Sequence, residues 1–134
     1  MPHGLTLGPD GRLYVADSEN HTIRCISAAG LVSTLAGVPG VAGSADGPGA
    51  VARFNEPRGI AAAPDGSLYV ADCENHSIRR ICAEGTVSTL AGGGQQGTVD
   101  GLGPAARFAY PACLALGPDG SLYVGDMHTV RRIT

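Results

Sequence analysis

Ser67–Ile81 reads S-L-Y-V-A-D-C-E-N-H-S-I-R-R-I, and this stretch decides the fold because it occurs three times. Leu13–Ile26 reads L-Y-V-A-D-S-E-N-H-T-I-R-C-I, and Leu122–Ile133 reads L-Y-V-G-D-M-H-T-V-R-R-I. The leucines at the start of the three L-Y-V segments are 55 and 54 residues apart. A repeat of this period predicts an architecture built from one supersecondary unit that stacks on its neighbours.

Each copy has the pattern of a β-hairpin. Leu68–Ala71 is apolar without a polar break, so the alternation of a strand places apolar side chains on both of its faces. Asp72–His76 carries residues that favour turns. Ser77–Ile81 returns with one arginine on each face, as expected near the rim of a sheet. The strand that contains Leu68–Ala71 is therefore predicted to be buried on both of its faces.

Turn signals on either side extend the unit to four strands. Pro64–Gly66 follows the apolar segment Gly59–Ala63, and Ala83–Gly85 leads into Thr86–Leu90. The unit is therefore predicted to be four short antiparallel strands, A to D, joined by tight turns.

The repeat predicts a single domain over residues 1–134. Residues 1–37 form the first unit, residues 38–92 a connection and the second unit, and residues 93–134 a connection and a third unit without strand D. Both connections carry D-G-x-G and then A-R-F in the same register. We therefore expect them to be structural parts of the repeat, with the phenylalanines packed between units.

Composition and charge exclude several classes of protein. With 21 Gly and 9 Pro but 43% hydrophobic residues, the chain is turn-rich and globular. Its nine cations are all scattered arginines and its net charge is -3, which argues against nucleic-acid binding, although a local patch of Arg53 and Arg58 leaves RNA binding as a third possibility. No apolar run approaches the ~18–20 residues of a membrane span.

The start of the chain and its cysteines leave the compartment open. Met1 begins directly in repeat sequence, so we expect no signal peptide. The four cysteines form no C-x-x-C pair and occupy different positions of the repeat, which favours free thiols over a disulfide framework or a zinc site: Cys25, Cys73, Cys82 and Cys113.

The repeated motifs P-x-G-I, P-D-G-x-L-Y-V-A-D, N-H-x-I-R-x-I and G-x-V-S-T-L-A-G resemble NHL repeats, in the variety with long D-G-x-G…A-R-F connections. The resemblance implies an all-β fold, a β-propeller segment of about three four-stranded antiparallel blades, the third lacking its last strand. Propellers of this family most often have six blades. The absence of Trp argues against a WD40 propeller.

The resemblance also implies a binding platform, because NHL propellers present surfaces for peptide, protein or RNA. We expect a non-catalytic interaction or assembly module with a protein or peptide partner. The alternative is part of a propeller enzyme, lactonase-like or of the copper- and zinc-dependent amidating-lyase type, with its active-site ligands in other blades.

Two polar residues recur around the hairpin turn and invite a metal-site or acid–base interpretation: Asp17, Asp72, Asp126, His21, His76 and His128. Equivalent positions on adjacent blades are at least ~10 Å apart, the spacing of packed sheets. Zinc holds its ligands at ~2.0–2.1 Å, so these histidines cannot share one ion. We therefore predict that Asp and Asn brace the turn and His caps its exit, with no metal, cofactor or catalytic residue.

Only strand A and the loops at its start converge on the propeller axis. There the repeats differ at the residue after proline, which is His3, Arg58 or Ala112. We expect any binding surface to combine this position with the hairpin turns: His3, Arg58, Glu19, His21, Glu74, His76 and His128.

Three blades form an open arc with an uncovered apolar face at each end. These faces would include side chains of Leu13–Ala16 and Leu122–Val124, and Thr129–Ile133 would be an unpaired edge strand. We expect either the remainder of a longer chain or self-association to cover them. Because two copies give six blades, a head-to-tail homodimer is the hypothesis.

Overall fold

The computed structural model describes residues 1–134 and contains three antiparallel sheets and no α-helix. Blade 1 consists of β1 (Pro2–Leu7), β2 (Leu13–Asp17), β3 (Thr22–Ile26) and β4 (Val32–Ala36). Blade 2 consists of β6 (Pro57–Ala62), β7 (Leu68–Asp72), β8 (Ser77–Ile81) and β9 (Thr86–Ala91). Blade 3 consists of β10 (Cys113–Leu116), β11 (Leu122–Gly125) and β12 (Val130–Ile133). The predicted fold class is confirmed.

Blade 2 has one strand more than the repeat predicts. β5 (Gly47–Pro48) lies in the first connection and pairs antiparallel with β9, placing Gly47 opposite Val87 and Pro48 opposite Thr86. The sheet order is therefore β5-β9-β8-β7-β6. The connection returns to the outer edge of the blade that follows it, a long-range pairing that the periodicity does not reveal.

The hydrophobic core consists of two clusters, one at each contact between blades. The first joins Ala16 and Ile23 of blade 1 to Leu68 and Val70 of blade 2. The second joins the opposite face of blade 2 to blade 3, with Ala71 and others against β11. β7 is thus buried on both faces, as predicted. Because a fully buried Val or Leu contributes about 1.5–3 kcal/mol, these clusters are the main source of stability.

Phe54 and Phe108, the last residues of the two A-R-F motifs, lie inside these clusters. Phe54 is fully buried in the first and Phe108 is buried in the second. The prediction that the connections are anchored by phenylalanines packed between blades is confirmed.

The starts of the A strands crowd together at the axis. A Cβ atom at Gly59 would lie 2.8 Å from the carbonyl oxygen of Ala112, and one at Gly4 would meet the carbonyl oxygen of Arg58 even more closely. Glycine is therefore required where one blade contacts the next at this level. Blade 3 carries Cys113 at the same position.

The chain contains no helix with the length and apolar character needed to cross a membrane.

Candidate binding face and its supporting network

The hairpin turns of blades 1 and 2 are single turns of 3-10 helix that end in a left-handed histidine. Ser18–Asn20 is followed by His21 at φ 58°, and Cys73–Asn75 by His76 at φ 50°. The side-chain amide of Asn75 donates to Asp72 Oδ2 at 2.7 Å. The corresponding bond from Asn20 to Asp17 measures 2.9 Å. The predicted bracing of the turn by Asp and Asn is confirmed for these two blades.

His21 and His76 each hold the start of the next blade. Nδ1 of His21 accepts a hydrogen bond from the backbone N–H of Glu56 at 3.0 Å. Nδ1 of His76 accepts one from the N–H of Tyr110 at 3.4 Å, and the two rings meet edge to face with centroids 4.6 Å apart. Glu56 and Tyr110 both adopt positive φ immediately before a proline, which is the first residue of β6 in blade 2 and lies two residues before β10 in blade 3. These histidines therefore link one blade to the next.

His128 occupies a different environment. The third turn is two residues shorter and has no 3-10 helix. The backbone N–H of His128 donates to Asp126 Oδ1 at 3.3 Å, and its side chain is exposed. Three further hydrogen bonds, from the Thr129 hydroxyl and the N–H groups of Thr129 and Ala109, reach the same carboxylate. Burial alone would raise the pKa of Asp126, but these hydrogen bonds outweigh it and lower the pKa.

The most buried polar contact of the chain is the ion pair of Asp72 with Arg79. Both side chains are at most 1% exposed, and Arg79 Nη1 lies 2.8 Å from Asp72 Oδ2. The N–H of Asn55 donates to the other oxygen at 2.8 Å. Burial raises the pKa of Asp72, whereas the hydrogen bonds from Asn75 and Asn55 and the charge of Arg79 oppose that rise. The expectation that both arginines of this strand lie near the rim is wrong for Arg79.

The first connection surrounds the guanidinium of Arg79. Arg79 donates to Asp46 Oδ1 at 2.7 Å and to the carbonyl oxygens of Ala45 and Arg53 at 2.9 and 2.8 Å. The guanidinium carbon lies 5.0 Å from the centroid of the Phe54 ring, within range of a cation–π contact. Asp46 therefore does more than make a turn, because it pairs with the next blade.

The second connection repeats this arrangement on Arg131. Arg131 donates to Asp100 Oδ1 at 2.8 Å and to the carbonyl oxygens of Val99 and Arg107, both at 2.9 Å. Its guanidinium carbon lies 4.9 Å from the Phe108 ring centroid. The D-G-x-G…A-R-F motif thus binds the first arginine of strand C in the following blade. That arginine recurs as Arg24, Arg79 and Arg131, a signal in the sequence that marks the position but does not identify the connection residues that bind it.

Part of the expected binding surface comes together at the axis. His3 and Arg58 line one depression with Ala112, at the starts of β1, β6 and β10. Arg58 also lines a neighbouring depression with Glu74. Glu19 is exposed, and neither depression includes His128. The structure therefore groups three of the seven residues, while His21 and His76 serve the contacts between blades.

Arg58 and two thiols add chemistry to this face. Nε of Arg58 is buried and has no hydrogen-bond partner in the chain, and its Nη2 lies 3.7 Å from Glu56 Oε2. All four cysteines are free, with Cys73 buried and Cys113 exposed. Burial raises the pKa of Cys73 to about 11, which makes it a poor nucleophile near neutral pH. No group of three His, Cys, Asp or Glu side chains is placed to hold a metal ion.

Curated proteins and solved structures match this chain. It is 36% identical to Protein SUPPRESSOR OF QUENCHING 1, chloroplastic, of Arabidopsis thaliana over 94% of its length, and 42% identical to human NHL repeat-containing protein 2 over 65%. The matches cover 13% and 12% of those proteins, so the chain spans about an eighth of the length of its relatives.

Two solved propellers share the architecture. An auxiliary nutrient binding protein from Bacteroides ovatus superposes with a TM-score of 0.84 at 27% identity, covering 97% of this chain and 36% of that chain. A virginiamycin B lyase from Staphylococcus aureus gives 0.68 at 20% identity, covering 99% and 38%, a likeness that shows the fold alone. The NHL repeat family itself matches residues 1–26 and 54–81. Together with the relatives above, this match shows that the chain belongs to the NHL-repeat family.

Proposed function

We propose that this chain is a non-catalytic NHL-type propeller module that serves as an assembly scaffold, and that two copies close one six-bladed ring. The observation that carries the proposal is the exposure of the two end faces. Leu5 and Val32, on the outer face of blade 1, are 66% and 55% exposed, and Val130 on the outer face of blade 3 is 79% exposed. Apolar sheet faces of this kind are rarely left in water.

The two end faces match the faces that already contact each other inside the chain. Leu13 and Val32 of blade 1 correspond in the repeat to Leu68 and Val87, which pack towards the preceding blade. Val130 of blade 3 corresponds to Ile78, which packs towards the following blade. A second copy that places its blade 3 on blade 1 would repeat the apolar part of the inner interface twice around a two-fold axis along the channel, with Cys113 where the inner contacts have glycine.

A completed ring would also enclose the axial depression that His3 and Arg58 line, next to the depression lined by Arg58 and Glu74. Their mixture of cationic and anionic side chains suits a protein or peptide partner, because charged groups on such a surface select and orient a partner. The scattered arginines offer no continuous basic face, which disfavours RNA.

The alternative function is part of a propeller enzyme, lactonase-like or of the amidating-lyase type, with its active-site ligands in other blades. The fold it shares with a lyase is the observation in favour. Metal analysis of the purified protein discriminates between the two functions, because a stoichiometric bound metal would favour the enzyme.

Light scattering on the purified chain tests the assembly. The expected mass is twice the 13.5 kDa of one chain at micromolar concentration. Val130→Asp should give a monomer, because it places a charge on the end face, whereas Val51→Asp, on an exposed part of the first connection, should leave the dimer intact. Cys113→Gly should tighten the dimer, since the two inner contacts have glycine there. A stable, soluble wild-type monomer with cooperative unfolding would refute closure.

A further inference from the structure

Arg24 is the repeat equivalent of Arg79 and Arg131, but no connection surrounds it. Its Nε lies 3.3 Å from Asp17 Oδ2 and donates to the Thr22 hydroxyl at 3.2 Å. Its two terminal nitrogens make no hydrogen bond within the chain. The Arg24 side chain is 27% exposed, against 1% for Arg79.

The two occupied sites define what this arginine accepts. In each, one carboxylate oxygen of an Asp-Gly turn lies at 2.7–2.8 Å from Nη2, and two backbone carbonyl oxygens accept further hydrogen bonds at 2.8–2.9 Å. A phenylalanine ring lies 4.9–5.0 Å from the guanidinium carbon. Two occurrences in one chain, with the same atoms in the same roles, specify the ligand of the third.

The outer edge of blade 1 offers a second point of recognition. On blade 2, Gly47–Pro48 adds to β9 opposite Thr86 and Val87. The corresponding residues at the edge of blade 1 are Leu31 and Val32, and no fifth strand pairs with β4. Free strand edges bind extended segments through backbone hydrogen bonds. The same two-residue pairing is therefore available at the edge of β4.

We infer that the outer face of blade 1 is a docking site for a connection segment of a further NHL-type blade, with an Asp-Gly turn followed by Ala-Arg-Phe. The aspartate would pair with Arg24, the glycine and the residue after it would pair with the edge of β4, and the phenylalanine would lie beneath the guanidinium. A second copy of residues 1–134 does not supply this segment, because its two connections are engaged on its own Arg79 and Arg131.

The inference rests on the proposed function only in that both place another blade against blade 1. It assigns the polar specificity of that contact to one residue and names the sequence that this residue recognises. The apolar end face would supply most of the attraction, while Arg24 would select a blade that carries the motif.

A peptide with the sequence of residues 42–56, A-G-S-A-D-G-P-G-A-V-A-R-F-N-E, tests the inference in fluorescence anisotropy with the full chain. We expect saturable binding that Arg24→Gln weakens by about tenfold or more, because a charge-assisted hydrogen bond is lost. Arg12→Gln, on an exposed turn, is the matched control and should bind as the wild type does. A peptide with asparagine in place of its aspartate and alanine in place of its phenylalanine should bind at least about tenfold more weakly.

The changes made in the peptide leave the protein intact, so they decide the question even if Arg24→Gln perturbs folding. Equal binding of the two peptides, or no saturation of wild type by about 1 mM peptide, would overturn the inference. Light scattering on the same samples separates it from ring closure. A monomer that binds the peptide refutes closure and upholds the docking site, whereas a dimer that ignores the peptide does the reverse.

Discussion

Replacing Asp72 by alanine perturbs the centre of the polar network, and its cost can be worked out from the contacts it removes. The turn loses the hydrogen bonds from Asn55 and Asn75, and Arg79 loses its only fully buried counter-ion. The turn bonds alone would be worth about 1–2 kcal/mol. Breaking a buried ion pair by removing one partner costs about 3–5 kcal/mol. Asp46 still contacts Arg79, but its side chain is about half exposed and does not replace the buried carboxylate. We therefore expect Asp72→Ala to lower the free energy of unfolding by about 3–5 kcal/mol.

Asp17→Ala is the matched control, since Asp17 makes the same turn bond to Asn20 but pairs with the partly exposed Arg24. We expect it to cost only about 1–2 kcal/mol. Urea unfolding followed by circular dichroism measures both. With a slope of about 1.5 kcal/mol/M, Asp72→Ala should lower the midpoint by about 2–3 M. Equal midpoints for the two variants would refute the role assigned to the buried pair. If Asp72→Ala left stability unchanged but abolished a ligand-dependent activity, a structural role for Asp72 would be refuted altogether.

Three further predictions concern the core, pH and thiol reactivity. Phe54→Ala should cost about 3–5 kcal/mol and give mostly insoluble protein, while Val51→Ala on the surface should not, as the soluble fraction after expression will show. Because the pKa of Asp126 is lowered in the folded state, its contribution to stability is present above the unfolded value of about 3.9 and is lost as the pH falls through the folded value. Asp126→Asn should therefore flatten the fall in melting temperature between pH 5 and pH 2. Iodoacetamide at pH 8 should modify exposed Cys113 and spare buried Cys73. Labelling of Cys73 should accelerate only as the pH approaches its raised pKa of about 11. Peptide mapping by mass spectrometry measures both reactions, and equal labelling of the two thiols would contradict the prediction.

The four-stranded unit and the burial of its second strand could be predicted because both depend on local patterns. The apolar run Leu68–Ala71 and the turns around it determine the strands, and stacking of identical units determines that both faces are covered. The burial of Phe54 followed in the same way, from a hydrophobic residue repeated in register within a loop. Periodicity carries this information, because each feature recurs at a fixed distance along the chain.

The network around Arg79 could not be predicted by the same reasoning. An arginine on a strand is usually exposed, and its burial becomes favourable only because Asp46 and two carbonyl oxygens lie 26–34 residues away along the chain. The sequence does not predict β5 for the same reason, since two residues of a loop have no periodicity of their own. His128 shows the opposite error. His21 and His76 have positive φ, but His128, which follows a shortened turn, does not. At this position a repeat in the sequence is therefore not a repeat in the structure.

Each contact between blades in this chain combines one apolar cluster with polar contacts. In each of these polar contacts, a turn or connection binds the blade that follows it in the sequence. From blade 1 to blade 2, these polar contacts are His21 to Glu56 and Asp46 to Arg79; from blade 2 to blade 3, they are His76 to Tyr110 and Asp100 to Arg131. The apolar clusters are chemically alike, so they supply attraction without distinguishing one blade from another. The polar contacts depend on matched donors and acceptors, whose burial without a match is unfavourable. We therefore expect the connections, rather than the apolar clusters, to decide which blade packs on which, and this expectation is the basis of the docking site proposed at Arg24.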